Sequence, residues 1–222
     1  MQDIQHIFES KGGEFISSPF LLRQKLKDIK ALIFDWDGVF HSGYKDESRS
    51  SSFSEADSMG VNMMRFGYYL LNKKIPFTAI ISGENNPTAI HWAEREHLDL
   101  TISGMKNKIE ALDYLQSEHN IKPNEVLFVF DDVLDLSLAK ESGARFLVRK
   151  SANPLLIDYC KRKQLADYIT GSESGQHCVR EVSEVVLSNL QLFDETVDKR
   201  VAFDDDYSAY IKKRNAIKTK RE

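Results

Sequence analysis

Cysteine is scarce in this chain of 222 residues: there are two, Cys160 and Cys178, and neither sits in a CxxC pair. That gives no support to a disulfide framework or a thiolate zinc site, and buried or inert thiols are expected. Long apolar runs are also missing. No stretch approaches the roughly 18 apolar residues of a membrane span. The opening MQDIQHIFESKGGEF holds no apolar segment of the secretory kind. No membrane partner and a cytoplasmic setting are therefore expected. Positive charge is not in excess either. The formal charge is -4, so no global basic field draws the chain to nucleic acid, which is not an expected partner.

What is present is core-forming material. With 41% hydrophobic and 10% aromatic residues, the chain can bury one substantial core. The run ALIF from Ala31 to Phe34 is short, apolar and stopped by Asp35, the pattern of a buried parallel strand whose carboxyl end meets solvent. Further strands are expected at Phe77 to Ile81, Val126 to Phe130, 144–148 and 167–170. Between them Val61, Met64, Tyr68 and Leu71 keep helical spacing, as do Ile109, Leu112 and Leu115, and then Val182, Val185 or Val186, and Leu190. Strands alternating with helices predict an α/β fold with a doubly wound, Rossmann-like, mostly parallel sheet. Residues 1–30 read as an N-terminal helical extension and 31–190 as the core. The polar stretch at about 40–56 suits a hairpin or flap, and leaves no room for a large lid. Residues 191–222 form a charged tail, with Asp204, Asp205 and Asp206 followed by a basic end. Charge blocks of that kind are expected to be solvated or disordered.

In such sheets ligands bind outside the carboxyl ends of the strands, so the polar residue after each apolar run carries the functional information. FDWDGV places Asp35 and Asp37 two residues apart, with Gly38 allowing a sharp turn. Asp35 is suited to nucleophilic attack on phosphorus while binding a cation. Asp37, further round the turn, can protonate a leaving oxygen and later deprotonate water. Ser82 in ISGEN can donate its hydroxyl to a phosphoryl oxygen, with neighbouring backbone N–H groups helping; a helix cap is its ordinary alternative role. Lys108 offers a point charge to phosphate and to Asp35, with Lys106 as a competitor. VLFVFDDVLD puts Asp131, Asp132 and Asp135 at the end of a very apolar strand, where unpaired carboxylates are costly. A cation would compensate, and all-oxygen ligands favour Mg²⁺ over zinc. His91, His97 and His119 have no metal-ligand spacing.

The order D-x-D, Ser, Lys, D-D-x-x-D resembles the motifs of the haloacid dehalogenase superfamily across most of residues 31–190. The stretches DWDGVFHSG, FSEADSMGVNMM, ISGENN, GMKNK, FDDVLDL, ADYIT and SGQHCVREVSEVVL are similar to its capless branch, the one containing 3-deoxy-D-manno-octulosonate 8-phosphate phosphatase. The resemblance implies a phosphatase with Asp35 as nucleophile and Asp37 as acid/base. It makes Ser82, Gly83 and Lys108 phosphate contacts. Asp35, the Asp37 carbonyl and Asp131 would ligate Mg²⁺, with Asp132 and Asp135 acting through water. It also implies a small phosphorylated substrate, a homo-oligomer, specifically a tetramer, and a flap whose neighbouring subunit covers the site.

Trp36, His41, Glu84 and Phe130 depart from the family pattern, and SGQHCVRE stands for a glycine-rich run, keeping Gly175, Arg180 and Glu181. Glu84, an anion where the family has an arginine, should alter which anionic substrate the rim accepts. Arg180 could face a substrate carboxylate, or form an ion pair with a nearby acid. Two rival functions remain in view. A receiver-type phosphoacceptor uses similar groups in a different order. A catalytically silent scaffold would fit Glu84 and Phe130, but not the retention of every catalytic group.

Overall fold

The computed structural model describes residues 4–44 and 51–222. Its strands are β1 (Glu14–Phe15), β2 (Ala31–Phe34), β3 (Phe77–Ile81), β4 (Leu100–Ile102), β5 (Val126–Phe130), β6 (Ala144–Arg149), β7 (Tyr168–Glu173) and β8 (Lys220–Arg221). Its helices are α1 (Ile4–Glu9), α2 (Pro19–Lys27), α3 (Glu55–Asn72), α4 (Pro87–Arg95), α5 (Glu110–His119), α6 (Leu136–Glu141), α7 (Pro154–Arg162), α8 (Cys178–Leu190), α9 (Phe193–Ala202) and α10 (Asp205–Asn215). One sheet runs β1-β7-β6-β5-β2-β3-β4-β8, parallel throughout except for the β1–β7 pair.

Apolar runs on the central strands are continuous because helices cover both faces. Leu32 and Phe34 of β2 point into a core with Val61, Met64 and Tyr68 of α3 and Val182, Val185 and Val186 of α8. Ala31 and Ile33 point the other way, against α5, α6 and α7. Such two-sided burial is what a doubly wound sheet requires. Three strands escaped the sequence reading: β1, β4 and β8 are two or three residues long, too short to show periodicity. Leu71, taken for the inner face of α3, is 40% exposed.

The C-terminal segment overturns the expectation of a disordered tail. Tyr207 and Tyr210, three residues apart on α10, pack with Phe66 and Tyr69 of α3, and Thr196 of α9 is buried. The Tyr210 hydroxyl donates to Asn62 Oδ1 at 2.8 Å. The acidic cluster is consumed locally. Asp204 caps α10 by accepting from Tyr207 N, and Lys199 bridges Asp204 and Asp206. Composition registers the charges but not that buried tyrosines are spaced among them. β8 then pairs with β4 and covers that sheet edge. Residues 45–50 of the anticipated flap lie outside the described residues; its last two residues, Glu55 and Ala56, open α3.

Asp167 ties the N-terminal extension to the sheet. Fully buried, it accepts from Ser17 Oγ and Lys25 Nζ, both at 2.6 Å, and from Arg145 Nε and Nη2, both at 3.0 Å. Burial alone would raise its pKa, but the Arg145 and Lys25 contacts outweigh burial and hold the carboxyl below its ordinary value. A depressed folded-state pKa gives stability that is present above the unfolded value and lost as pH falls. Asp167→Asn should therefore cost about 2 to 3 kcal/mol at pH 7. In urea melts the gap to the parent should close below about pH 4; a gap independent of pH contradicts the ion-pair account.

Candidate active site

Four strand ends and one loop converge on a cavity of about 350 Å³ lined by Asp35, Asp37, Gly38, Gly83, Glu84, Lys106, Lys108, Asp131, Asp132, Asp135 and Lys150, among others. Asp35 follows β2, its N–H still in the ladder with Val129 O at 3.0 Å. The chain then reverses, with Gly38 N donating to His41 O at 3.1 Å and Phe40 N to Trp36 O at 3.1 Å. Gly38 has φ of 88°, and a Cβ there would fall 2.0 Å from Asp131 Oδ2, so glycine is required by both backbone and space. Trp36 anchors the turn from below, stacked on Phe40 and packed against Trp92.

Lys108 reaches in from the turn before α5 and bonds both Asp35 Oδ1 and Asp135 Oδ1; all three side chains are nearly inaccessible. Asp135 Oδ2 accepts from Asp131 N at 3.3 Å and Asp132 N at 3.1 Å, fixing the loop after β5. Asp131 pairs with Lys150, the residue directly after β6. One oxygen each from Asp35, Asp131 and Asp135 lies within 4.8 Å of the others. Burial and then repulsion by Asp135 drive the Asp35 pKa up, against the attraction of Lys108. Burial likewise pushes Asp131 up to about 6 despite Lys150. Lys108 keeps its proton firmly: burial opposes the charge, but Asp35 and Asp135 outweigh it.

Of the residues singled out from sequence, Asp35, Asp37, Ser82, Gly83, Lys108, Asp131 and Asp135 come together here. Ser82 continues β3, its N–H donating to Ile102 O at 2.9 Å, and its Oγ is 3.5 Å from Asp37 Oδ2. Asp132 lines the cavity but is exposed, its Oδ1 accepting from Val133 N at 2.7 Å. Lys106 pairs with Glu84 at the rim, which leaves Lys108 as the interior cation. Arg180 is not among the residues lining this cavity. Its Nε donates to Glu184 Oε1 at 2.7 Å, the ion-pair alternative, on the wall of another cleft with Phe8 and Gln176. Phe130 stacks on Phe128 inside the core, so its departure from the family pattern is a packing choice.

Sequence reasoning missed three neighbours. Lys150 occupies a strand end, and the same rule applied to β6 would have found it. Asn86, just before Pro87, was not singled out, yet its Nδ2 donates to Asp37 Oδ2 and Ser82 Oγ, both at 2.7 Å. His41, noted only as a departure, places Nε2 3.0 Å from Asp37 Oδ1.

A parallel sheet carrying paired aspartates after its first core strand, then serine, lysine and a late acidic cluster, is the layout of the phosphatases of the haloacid dehalogenase superfamily, which this chain resembles in both sequence and fold. No family model matches it. It is 28% identical over 175 residues to 3-deoxy-D-manno-octulosonate 8-phosphate phosphatase of Escherichia coli K12, covering 77% of this chain and 86% of that one. The enzyme of the same name from Haemophilus influenzae is 25% identical over 170 residues, covering 75% and 87%. Among solved structures, the Moraxella catarrhalis phosphatase of that name, in complex with magnesium, phosphate and KDO, matches with TM-score 0.67 at 25% identity, over 82% of this chain and 98% of that one.

Crowding of carboxylates makes a stability prediction. A raised Asp35 pKa means that folding is opposed once pH exceeds the unfolded value of about 4. Without divalent ions, Asp35→Asn should stabilise the protein by about 1 to 2 kcal/mol at pH 8, with the gain vanishing towards pH 4. Thermal melts of the two proteins across that range check this; a destabilised variant at pH 8 contradicts it.

Proposed function

We propose that the chain is a Mg²⁺-dependent phosphomonoesterase that works through an aspartyl-phosphate on Asp35, with a small sugar-acid phosphate of the 3-deoxy-D-manno-octulosonate 8-phosphate kind as substrate. The observation that carries this reading is the buried grouping of Asp35, Lys108 and Asp135 beside Asp37 in one cavity, with the Ser82 hydroxyl 3.5 Å from Asp37 Oδ2. Asp35, Asp131 and Asp135 present only hard oxygen ligands in a space short of positive charge, which fits Mg²⁺. The ion would be held by Asp35, the Asp37 carbonyl and Asp131, with Asp132 and Asp135 through water, and would supply positive charge to the phosphoryl oxygens.

The chain's own groups then divide the work. Lys108 and the Ser82 hydroxyl hold non-bridging oxygens, with the Gly83 backbone alongside. An Asp35 carboxylate oxygen attacks phosphorus, and the bond to the leaving oxygen breaks, its electron pair going with that oxygen as it takes a proton from Asp37. A water then gives a proton to Asp37 and attacks phosphorus, and the Asp35 oxygen recovers its pair. The sum is ester plus water giving alcohol plus phosphate.

The sugar-acid assignment draws on the named substrate of the relatives and on the rim. Glu84 and Lys106 neutralise each other there, while Lys150, paired with Asp131 in the cavity wall, is a cation that a substrate carboxylate could share once Asp131 turns to a metal ion. Exposed Tyr44, Val133 and Leu134 give this end of the molecule apolar surface that a neighbouring subunit of a homotetramer would cover.

A panel of sugar-acid phosphates, neutral sugar phosphates and nucleotides, assayed with Mg²⁺, tests both levels. Sugar-acid phosphates should give the highest kcat/KM, and Asp35→Asn should lower kcat by about 10³-fold or more. Undiminished turnover by Asp35→Asn refutes the nucleophile, and preference for nucleotides refutes the substrate class.

A further inference from the structure

Asp37 is held from both sides. His41 is buried, and its Nδ1 accepts from Gly43 N at 3.1 Å. A ring nitrogen that accepts carries no hydrogen, so in the neutral ring the hydrogen is on Nε2, which donates to Asp37 Oδ1 at 3.0 Å. On the other side Asn86, also buried, donates through Nδ2 to Asp37 Oδ2 at 2.7 Å. A carboxylate only accepts, so the amide nitrogen must face it.

Asn86 does this at the expense of its ordinary use. It occupies the N-cap of α4, where an asparagine side chain normally accepts from a backbone N–H of the first turn, yet it makes no such bond. Its Nδ2 also donates to Ser82 Oγ at 2.7 Å, and Glu84 N donates to the same oxygen at 3.2 Å. Both acceptor positions of the serine hydroxyl are thus filled, and its own hydrogen is left to donate, in this structure to Asp37 Oδ2 across a long 3.5 Å contact that a phosphoryl oxygen can replace.

We propose that His41 and Asn86 are positioning residues for Asp37, and that Asn86 also sets Ser82 as a donor to the phosphoryl group. This rests on Asp37 being the acid/base of the proposed phosphatase. The two N–H donors fix the carboxyl group so that one oxygen faces the path shared by the leaving oxygen and the attacking water. A carboxylate free to rotate would lose alignment with both.

p-Nitrophenyl phosphate separates the two chemical steps. Nitrophenolate departs with the electron pair of the broken P–O bond and needs no proton, so transfer to Asp35 proceeds without Asp37. Hydrolysis of the aspartyl-phosphate still needs Asp37 to take the proton of water. Rapid mixing with Mg²⁺ of the parent, His41→Asn, His41→Gln, Asn86→Asp and Asp35→Asn provides the test. His41→Asn is too short to reach Oδ1 and should release about one nitrophenolate per site in a burst. It should then turn over on the order of 10²-fold more slowly, with kcat/KM near the parent's. His41→Gln keeps a donor at the Nε2 position and should recover most of kcat. Asn86→Asp, of the same shape, should lower both kcat and kcat/KM, because Ser82 loses its setting as well. Parent-like kcat in His41→Asn and Asn86→Asp, or equal defects in His41→Asn and His41→Gln, overturns the proposal while leaving the phosphatase reading intact. Full turnover by Asp35→Asn overturns that reading itself.

Discussion

The Lys108 ammonium, bonded to Asp35 on one side and Asp135 on the other with almost no access to water, is the contact on which the rest of the site depends. Buried carboxylates placed this close repel, and each on its own would be driven to its neutral form. One fixed cation lets the group persist, and it leaves a shortage of positive charge that a divalent ion and the lysine at β6 can share. The shortage is a property of the fold. Parallel strands end together, so the acids that follow β2 and β5 must face the same space, and the lysine must come from a loop that crosses above them.

Around that centre the packing is arranged to keep the turn after β2 rigid. Trp36, Phe40 and Trp92 form an aromatic block beneath it, and Gly38 lets Asp131 approach where any side chain would collide. Rigidity matters because Asp37 lies on that same turn. Further out, Asp167 secures the N-terminal extension to the sheet, and α10 seals α3 from behind. These outer contacts touch none of the site's side chains, but they hold α3 and α8 against the face of the sheet into which Leu32 and Phe34 point.

Most of the candidate site's membership was legible: Asp35, Asp37, Ser82, Asp131 and Asp135 followed from apolar runs and the polar residues that end them, and Lys108 from its place at the start of a helical pattern. The alternating pattern likewise announced the central strands. The shortest strands were not legible, because β1, β4 and β8 gain their identity from pairing rather than from periodicity. The C-terminal helices were hidden because charge dominates their composition, while only Thr196, Tyr207 and Tyr210 are buried. Asn86 and His41 were hidden for another reason. Their importance lies in what they touch across 49 and 4 residues of sequence, respectively, and no local pattern distinguishes a capping asparagine from one turned into a site.

The central claim is that Asp35 carries the phosphoryl group between the two steps. Single-turnover reaction with a sugar-acid phosphate, acid quenching, borohydride reduction of any acyl phosphate to the alcohol, and peptide mapping by mass spectrometry address it directly. The account predicts reduction at position 35 alone; a modified residue elsewhere, or phosphate release with no trapped acyl phosphate at any time point, would contradict it.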